Sequence, residues 1–238
     1  MTESAVSFTK GRDLALVNAQ RSRRFDWRWF DPLWWGDCAR PVDAGGRGSA
    51  WFIHADEGDL VLRFYERGGL MRRLSRAIYL YLGPEHARSI AEFRMLASMR
   101  DLNLPVPEPV AAGLWRCAGV GYRAAILVER LGGTTALGSL APTLEQTRWV
   151  QVGATIRRFH NHGIIHADLN CFNILLSDQY VYLIDFDKGH QRKAGYGAGP
   201  SGRNLERLHR SLCKLDWDGA TISLEAAWRA LLDGYHSV

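Results

Sequence analysis

Lysine is scarce in this chain, because only four of its 30 basic residues are lysine, at positions 10, 188, 193 and 214. The others are arginine, and the formal net charge at pH 7 is +5. Arginine binds phosphate or carboxylate groups through a planar fork of donors, so the bias favours anionic partners, although an arginine-rich genome would also produce it. With so modest a charge and no RNA- or DNA-binding motif, we expect no nucleic-acid partner.

Cysteine and long apolar runs are also sparse, and both absences exclude classes of protein. The four cysteines lie far apart at positions 38, 117, 171 and 213, without a CxxC pair, so we predict neither a zinc site nor a disulfide framework. No stretch reaches the roughly 18 apolar residues of a membrane-spanning helix, and the first residues lack the pattern of a signal peptide. We therefore expect a protein with reduced thiols on the cytoplasmic side of the membrane.

Hydrophobic periodicity predicts two halves of different type. The first half contains strand-like strings separated by glycine and one helix from Pro84 and Glu85 to about Asp101. The predicted strands are "LALVN", "WFIHA", "LVLRFY", "LWRCA" and "YRAAILVER", and "LPVPEPVAAG" is predicted to end the helix. A glycine pair in "LGGTTAL" is a predicted hinge, and "LEQTRWVQVGATIRRFHNHG" after it is a predicted helix.

Polar side chains interrupt two apolar stretches of the second half. "GIIHADLNCFNILL", residues 163–176, contains Asp168 and Asn173, and "VYLIDFDKG" contains Asp185 and Asp187. Magnesium prefers hard oxygen ligands and keeps substrate phosphates among them, so Asn173 and Asp185 are a plausible metal pair. Asp168 would then orient an attacking hydroxyl group and accept its proton.

The order of these residues matches the parts needed for phosphoryl transfer. "HADLNCFN" fits the pattern H-x-D-x-x-x-x-N, and "DFD" stands where protein kinases have DFG. We expect His166 to support the metal-binding loop by a hydrogen bond to its backbone. The alternative, that these acidic residues only lie in surface turns, does not explain why both motifs occur in this order.

The first half offers candidates for holding the nucleotide. Backbone N–H groups of Gly46, Gly48 and Ser49 in "GGRGSAWF" would cover the phosphates, and the absence of a GK[ST] ending argues against a P-loop enzyme. Arg63 stands on a predicted strand where protein kinases have a lysine, and Glu92 on the predicted helix is its natural partner. A missing lysine would also suit a catalytically inactive kinase.

Several strings together make the chain resemble the Kdo kinases, the 3-deoxy-D-manno-octulosonic acid kinases of the lipopolysaccharide kinase group. They are "GGRGSAWF", "LVLRFYERGGL", "AEFRMLASMRDLNLPVPEPVAA", "HADLNCFNILL", "YLIDFDKG" and "NLERLHRSLCKL". "RFYERGGL" is the most telling, since an R-x-Y-x-R-G-G-like string is typical of that family. The resemblance implies an α+β, bilobal protein-kinase-like fold, with an antiparallel-sheet N-lobe at 1–130 and a short, mainly helical C-lobe at 131–238.

The resemblance also implies a reaction and roles for single residues. The reaction is ATP-dependent phosphorylation of the 4-hydroxyl group of Kdo on a lipid A precursor, by a peripheral protein at the inner face of the inner membrane. Asp168 would be the base, and Asn173 and Asp185 the Mg²⁺ ligands. Arg63 and Glu92 would be the phosphate-contact pair, and the backbone from Glu129 to Leu131 would contact adenine. We expect a monomer.

Two basic or aromatic segments fit an acidic glycolipid at a membrane. Arginines 67, 72, 73 and 76 could bind its phosphates or carboxylate, or could simply form a solvated helix face. For the tryptophans at 27, 29, 34 and 35, packing between strands is favoured over lipid contact. Residues 190–202 contain neither an APE motif nor threonine, so we do not expect gating by phosphorylation.

Two other functions stay open on the sequence alone. One is a heptose kinase of the same group, which would differ only in the sugar that receives the phosphate. The other is a pseudokinase scaffold that binds acidic lipid or nucleotide, which the missing strand lysine favours and the complete set of Asp168, Asn173 and Asp185 opposes.

Overall fold

The chain divides into two compact units. In this computed structural model, which describes residues 5–42, 50–56, 58–65, 78–117, 119–187, 189–191 and 199–238, one unit comprises Met1–Ser98 and Pro107–Gly132, and the other Met99–Val106 and Gly133–Val238. The break between Gly132 and Gly133 falls in the glycine pair of the predicted hinge. Residues 99–106 group with the second unit, so the units are not two continuous pieces, and the lobe boundary at 130/131 stays a prediction.

The first unit is built on an antiparallel sheet. Its strands are β1 (Ala5–Lys10), β2 (Asp13–Asn18), β3 (Ala39–Pro41), β4 (Ala50–Ala55), β5 (Gly58–Phe64), β6 (Tyr79–Leu80), β7 (Pro109–Arg116) and β8 (Gly121–Glu129). They follow the order β1-β2-β7-β8-β5-β4-β3, and β6 pairs with β8. Every pairing is antiparallel, which agrees with the predicted sheet.

Strand β7 begins earlier than its sequence pattern predicted. The string "LWRCA" starts at Leu114, but the strand already starts at Pro109, inside the stretch that was expected only to end the helix. The small residues Ala111 and Ala112 are fully buried there, between neighbouring strands β2 and β8. Small side chains on both faces gave no alternating pattern, and for that reason the strand start was missed.

The predicted helix in the first unit is present with a later start. Pro84–His86 form a 3₁₀ turn, the backbone at Ala87 is extended, and the α-helix runs over Arg88–Asp101. A four-residue helix, α1 (Pro32–Trp35), comes earlier in the chain, and the helix over Arg88–Asp101 is α2. Its predicted apolar face, Ile90, Phe93, Leu96 and Met99, is at most 2% exposed. Buried Ser89 donates to the carbonyl of Gly113 over 2.9 Å and so attaches α2 to β7.

Most of the aromatic segment before β3 packs inside the first unit. Trp29 is buried, and Trp27 and Trp35 are partly buried against the same core. The indole of Trp35 also donates to the Trp29 carbonyl over 3.0 Å. The expectation of packing is therefore confirmed for these three tryptophans, whereas Trp34 is 40% exposed.

The second unit is mainly helical, as predicted. Its helices are α3 (Leu137–Leu140), α4 (Gln146–Asn161), α5 (Gly199–Leu212) and α6 (Leu224–His236), and its short strands are β9 (Thr135–Ala136), β10 (Ile164–Ile165), β11 (Ile174–Leu176), β12 (Val181–Leu183) and β13 (His190–Gln191). The strands form the sheets β12-β11-β9 and β10-β13. Within the described ranges, no helix combines the length and the apolarity needed to cross a bilayer.

Helices α4 and α6 pack backbone to backbone through two glycines. A Cβ atom added at Gly153 of α4 would overlap the carbonyl of Leu231, and one added at Gly234 of α6 would overlap the carbonyl of Val150. Glycine costs a helix about 1 kcal/mol relative to alanine, so two mid-helix glycines need a packing reason. The close approach supplies that reason and fixes the position of α4, whose C-terminal end leads into β10.

We expect Gly153→Ala to destabilise the second unit, because the new methyl group would meet main-chain atoms that no rotamer change can move away. The free energy of unfolding should fall by about 1 to 3 kcal/mol, as for other overpacked cores. Denaturant unfolding followed by circular dichroism measures it. The matched control is Gly202→Ala in α5, where an added Cβ meets nothing within 4 Å. Equal stability of the two variants would contradict the packing argument.

Candidate active site

The hairpin of β11 and β12 brings the two predicted metal ligands to one end of a sheet. Ile174 pairs with Leu183 at the open end of this antiparallel hairpin. Asn173 directly precedes β11, and Asp185 follows β12 by two residues. The N–H of Ile184 donates to the Asn173 carbonyl over 3.0 Å, which extends the pairing up to both residues.

The loop between β10 and β11 folds around the main chain of Asp168. Side-chain amides of Asn173 and Asn170 both donate to the Asp168 carbonyl, over 2.9 and 3.1 Å. Asn170 also accepts from the N–H of Phe172 over 2.9 Å. The bond to the Asp168 carbonyl uses the Asn173 nitrogen, so the predicted role of Asn173 in binding a cation would fall to its Oδ1. The Asp168 carboxylate itself is exposed.

His166 connects this loop to the segment that carries Asp185. Its Nδ1 accepts from the N–H of Asp168 over 3.0 Å, so the proton lies on Nε2, which donates to the Ile184 carbonyl over 2.8 Å. Burial lowers the pKa of His166, which keeps the ring neutral in this tautomer. The His166 side chain therefore bonds the backbone next to Asp185, the predicted metal ligand, as its predicted supporting role requires.

Asn204 on α5 fixes the main chain of His166. Its Oδ1 accepts from the His166 N–H over 3.1 Å, and its Nδ2 donates to the His166 carbonyl over 2.8 Å. The sequence argument assigned Asn204 no role. A signal was present, since Asn204, Leu208 and Leu212 recur every four residues and all three are buried, so the asparagine lies on the inward face of α5.

A second histidine, which is partly buried, lies behind Asn204. His160, near the end of α4, has its Nε2 3.3 Å from Asn204 Oδ1 and its Nδ1 2.8 Å from the Tyr235 hydroxyl. Burial lowers the pKa of His160 to about 4, and the positive charge of Arg157 acts in the same direction. Neutral histidine at this position completes a polar network that runs from α6 to the loop of Asp168.

Asp185 has an unusual backbone conformation. Its φ of +63° lies in the left-handed region, which residues other than glycine rarely adopt. The next residue, Phe186, is 1% exposed and packs against His166, with ring centroids 4.6 Å apart, and against Phe159 at 5.8 Å. Buried Phe186 thus holds the segment in place while the backbone at Asp185 turns. Strained backbone of this kind is concentrated at functional sites.

Arg207 is a further residue that sequence reasoning did not assign. It projects from α5, and its Nη1 donates to Asp168 Oδ1 over 3.0 Å. Both side chains are largely exposed, at 48% for Arg207 and 62% for Asp168. The predicted base is therefore ion-paired, through a contact that joins residues 39 positions apart and has no local sequence signal.

In the first unit, Arg63 on β5 and Glu92 on α2 lie side by side. Arg63 Nη2 donates to Glu92 Oε1 over 2.5 Å, and the Tyr65 hydroxyl donates to Oε2 over 2.5 Å. Glu92 is 3% exposed, so its charge needs both partners, whereas Arg63 is 25% exposed. The structure brings the predicted pair together, while the role of the pair stays a prediction.

The remaining nucleotide contacts from the sequence argument are only partly within the described chain. Gly46, Gly48 and Ser49 lie outside the described residues, as do the arginines at 67, 72, 73 and 76. The N–H of Glu129 donates to the Glu108 carbonyl over 2.9 Å. Any adenine contact by the Glu129 backbone would therefore use its carbonyl, and the expected contact at Leu131 stays a prediction.

The donor set at the hairpin end fits magnesium. The side chains of Asn173 and Asp185 offer one amide oxygen and one carboxylate, and Mg²⁺ is commonly held by one or two carboxylates together with water and substrate phosphates. Across the part of the chain that the structure describes, no group of three or more His, Cys, Asp and Glu side chains is arranged to hold a metal. The site thus suits a cation that substrate helps to bind rather than a closed zinc site.

Comparisons with known proteins agree on one family. Residues 33–235 match the model of the "Lipopolysaccharide kinase (Kdo/WaaP) family". A "3-deoxy-D-manno-octulosonic acid kinase" of Xylella fastidiosa (strain M12) is 46% identical over 202 residues, 84% of this chain and 80% of the relative. A protein of the same name from Xanthomonas euvesicatoria pv. vesicatoria (strain 85-10) is 46% identical over 218 residues, 90% of this chain and 86% of the relative.

A solved structure is similar in fold. The structure titled "WaaP in complex with acyl carrier protein" aligns with a TM-score of 0.59 at 15% sequence identity, covering 94% of this chain and 89% of that one. At so low an identity the similarity concerns the fold alone. It supports the kinase-like fold that the sequence predicted.

The buried histidines predict a loss of stability in acid. The folded chain holds the pKa of His160 near 4 against an ordinary 6.5, so as the pH falls below 6.5 the unfolded chain binds the proton first. The stabilisation is therefore complete above about pH 6.5 and is lost progressively as the pH approaches 4. The shift corresponds to about 3 kcal/mol.

Urea unfolding at a series of pH values between about 7.5 and 4.5 measures this effect. We expect His160→Gln to be less stable than the parent at neutral pH, because its hydrogen bonds are altered, but to lose less stability on acidification. His162→Gln, which removes an exposed histidine two residues away, is the matched control and should follow the parent. Identical pH profiles for parent and His160→Gln would refute the assignment.

Proposed function

This chain belongs to the lipopolysaccharide kinase (Kdo/WaaP) family, and on that premise we propose that it transfers the γ-phosphoryl group of ATP to the 4-hydroxyl group of Kdo on a lipid A precursor. The family and the names of its relatives make the chain a kinase of lipopolysaccharide biosynthesis. The observation that carries the transfer step is the convergence of Asp168, Asn173 and Asp185 through the bonds of His166 and Asn173, whereas the choice of sugar rests on the names of the relatives. These three side chains are the groups that phosphoryl transfer uses.

Asp168 is the proposed base. Its main chain is held by His166 from the N–H side and by two asparagine side chains from the carbonyl side, while its carboxylate is exposed to an incoming hydroxyl group. The hydroxyl proton passes to an Asp168 oxygen as the hydroxyl oxygen bonds to the γ-phosphorus. The bond from that phosphorus to the bridging oxygen breaks, and its electron pair leaves with ADP.

Asn173 and Asp185 would hold Mg²⁺. When bound, the ion neutralises charge on the phosphate oxygens of ATP. The chain contributes the orientation of both ligands, through the amide bond of Asn173 to Asp168 and through the left-handed backbone of Asp185. Asn173 is a proposed Mg²⁺ ligand and is also hydrogen-bonded to the main chain of Asp168. The proposed metal site and the proposed base therefore keep a fixed separation.

Residues of the first unit complete the proposal for ATP. We propose that Arg63 contacts a phosphate oxygen, and that Glu92 and Tyr65 orient its guanidinium group from behind. Backbone groups of Gly46, Gly48 and Ser49 would bind phosphate, and those from Glu129 to Leu131 would bind adenine.

An assay that resolves the acceptor tests the function. Purified protein, MgATP and defined acceptors carrying Kdo alone, heptose alone or both are incubated, and mass spectrometry identifies the phosphorylated sugar. We expect phosphate on Kdo. Asp168→Asn should lower kcat by about 10² to 10⁴, the range for loss of a general base. Asp178→Asn, an exposed carboxylate in the turn between β11 and β12, is the matched control and should keep parental activity.

Two outcomes of that assay would contradict the proposal separately. Phosphate on heptose alone would make the chain a heptose kinase and refute the choice of sugar. Parental activity of Asp168→Asn on Kdo would leave the function intact and refute the role of Asp168.

We further propose that the kinase works at the cytoplasmic face of the inner membrane, attached through α1. Leu33 is 87% exposed and Trp34 is 40% exposed, and the guanidinium of Arg28 lies 5.3 Å from the Trp34 ring centroid. An apolar side chain, an indole and a cation together are typical of segments that lie in the headgroup region. The proposed acceptor is a lipid, so binding of the kinase to the membrane surface would raise the concentration of acceptor near the active site.

Binding to lipid vesicles tests this attachment. We expect the double variant Leu33→Ser with Trp34→Ser to bind vesicles of mixed zwitterionic and anionic phospholipid several-fold more weakly than the parent in a sedimentation assay. Activity on acceptor dispersed in detergent should be unchanged. The matched control is Leu82→Ser, another exposed leucine of the same unit, at 68%. Equal vesicle binding by both variants would refute attachment through α1.

A further inference from the structure

A basic pocket of about 250 Å³ lies beside Asp168 within the second unit. The main chain around Ala167 and the start of α5 at Pro200 form part of its wall. Ile165, His166 and Asn204 also line it, and its charged side chains all come from α5, namely Arg203, Glu206, Arg207 and Arg210. Neither the family relationship nor the proposed transfer of phosphate assigns a role to these side chains.

Helical spacing explains why the arginines share one face. Positions 203, 207 and 210 follow the i, i+4, i+7 pattern, and all three side chains are exposed. The other face of α5 is buried through Asn204, Leu208 and Leu212. Glu206 lies within the same face and Asp168 pairs with Arg207, so the three arginines and two carboxylates together carry a net charge of +1 at neutral pH. The pocket therefore attracts anions.

Arg207 joins this pocket to the proposed base. Its Nη1 is 3.0 Å from Asp168 Oδ1. An anion bound to the other N–H donors of the same guanidinium would therefore lie close to the carboxylate that receives the hydroxyl proton. Asn173 and Asp185, the proposed ligands on the ATP side, take no part in lining the pocket. An anion bound in the pocket would lie beside Asp168, where the hydroxyl group of the acceptor has to approach.

We infer that Arg203, Arg207 and Arg210 form a subsite that binds an oxyanion of the acceptor, a carboxylate or a phosphate, and positions the neighbouring hydroxyl group at Asp168. The inference deepens the proposed function and rests on it for the identity of the acceptor. Guanidinium forks match both kinds of oxyanion in a bidentate manner.

The ion pair seen here also assigns a distinct part to Arg207. Exposed ion pairs are weak and exchange partners readily, so an acceptor oxyanion can draw the Arg207 guanidinium away from Asp168. That exchange leaves the carboxylate to accept the hydroxyl proton. Arg207 would then act in turnover as well as in binding, whereas Arg203 and Arg210 would act in binding.

Steady-state kinetics with a Kdo-containing acceptor test the subsite. We expect Arg203→Gln and Arg210→Gln each to raise the acceptor KM about tenfold, with kcat and the KM for ATP unchanged. Arg210→Lys should recover part of the affinity, because it restores the charge without the fork. Inorganic phosphate should inhibit competitively against acceptor but not against ATP. Arg229→Gln, an exposed arginine of α6, is the matched control and should behave as the parent.

Modified acceptors separate the two possible oxyanions. If the carboxylate binds here, a methyl ester of the Kdo carboxyl group should have a raised KM with the parent protein and show no further loss with Arg203→Gln. If a lipid A phosphate binds here, an acceptor that lacks the lipid A phosphates should instead have the raised KM with the parent protein and show no further loss with Arg203→Gln. Either pattern supports the subsite.

The failure of the subsite and of the proposed function are distinguishable. If the parent phosphorylates Kdo and both glutamine variants keep the parental acceptor KM, the subsite is refuted and the function stands. If the parent phosphorylates another anionic sugar and the arginine variants raise the KM for that acceptor, the function is refuted and the subsite stands.

Discussion

The imidazole of His166 is the interaction on which the arrangement of the site depends. One ring nitrogen accepts from the main chain of Asp168, and the other donates to the main chain next to Asp185. A single buried side chain therefore holds the two acidic segments of the site at a fixed distance. It can do so only as a neutral ring with the proton on Nε2, since a charged ring could not accept a bond from the Asp168 N–H.

The surrounding structure serves to keep this ring buried and oriented. Phe186 packs on one side of it, and Asn204 holds its main chain from α5. Behind Asn204, His160 links α4 to α6 through the Tyr235 hydroxyl. The glycine contact between those helices is thus connected to the loop of Asp168 by packing and hydrogen bonds. Burial that stabilises the unit is the same burial that keeps both histidines neutral.

Much of the fold could be predicted, and the reason is local chemistry. The strand strings, the helix face of Ile90 and Phe93, and the motif around Asp168 each combine a clear period with a recognisable residue type. Strand β7 began earlier than predicted because alanines give no polar alternation. The convergence of Asn173 and Asp185 followed from an apolar hairpin whose strands are only a few residues apart.

Residues whose partners are remote in the chain were the ones that sequence reasoning left unassigned. Asn204 contacts His166 across 38 positions, and Arg207 contacts Asp168 across 39. Both sit on a helix whose outer face is dominated by charge, and such a face is ordinarily solvated. The spacing of Asn204 with Leu208 and Leu212 indicates an inward position, whereas only the packing of α5 against the loop distinguishes Arg207 from its exposed neighbours.

The side-chain amide of Asn204 bonds His166 as a peptide group of a paired strand would. It accepts from the His166 N–H and donates to the His166 carbonyl. Aspartate at this position would repel the His166 carbonyl oxygen. Leucine would leave the N–H and the carbonyl of His166 without these hydrogen bonds. Serine is too short to span them. Position 204 therefore requires a side chain that can accept and donate at the spacing of one peptide unit.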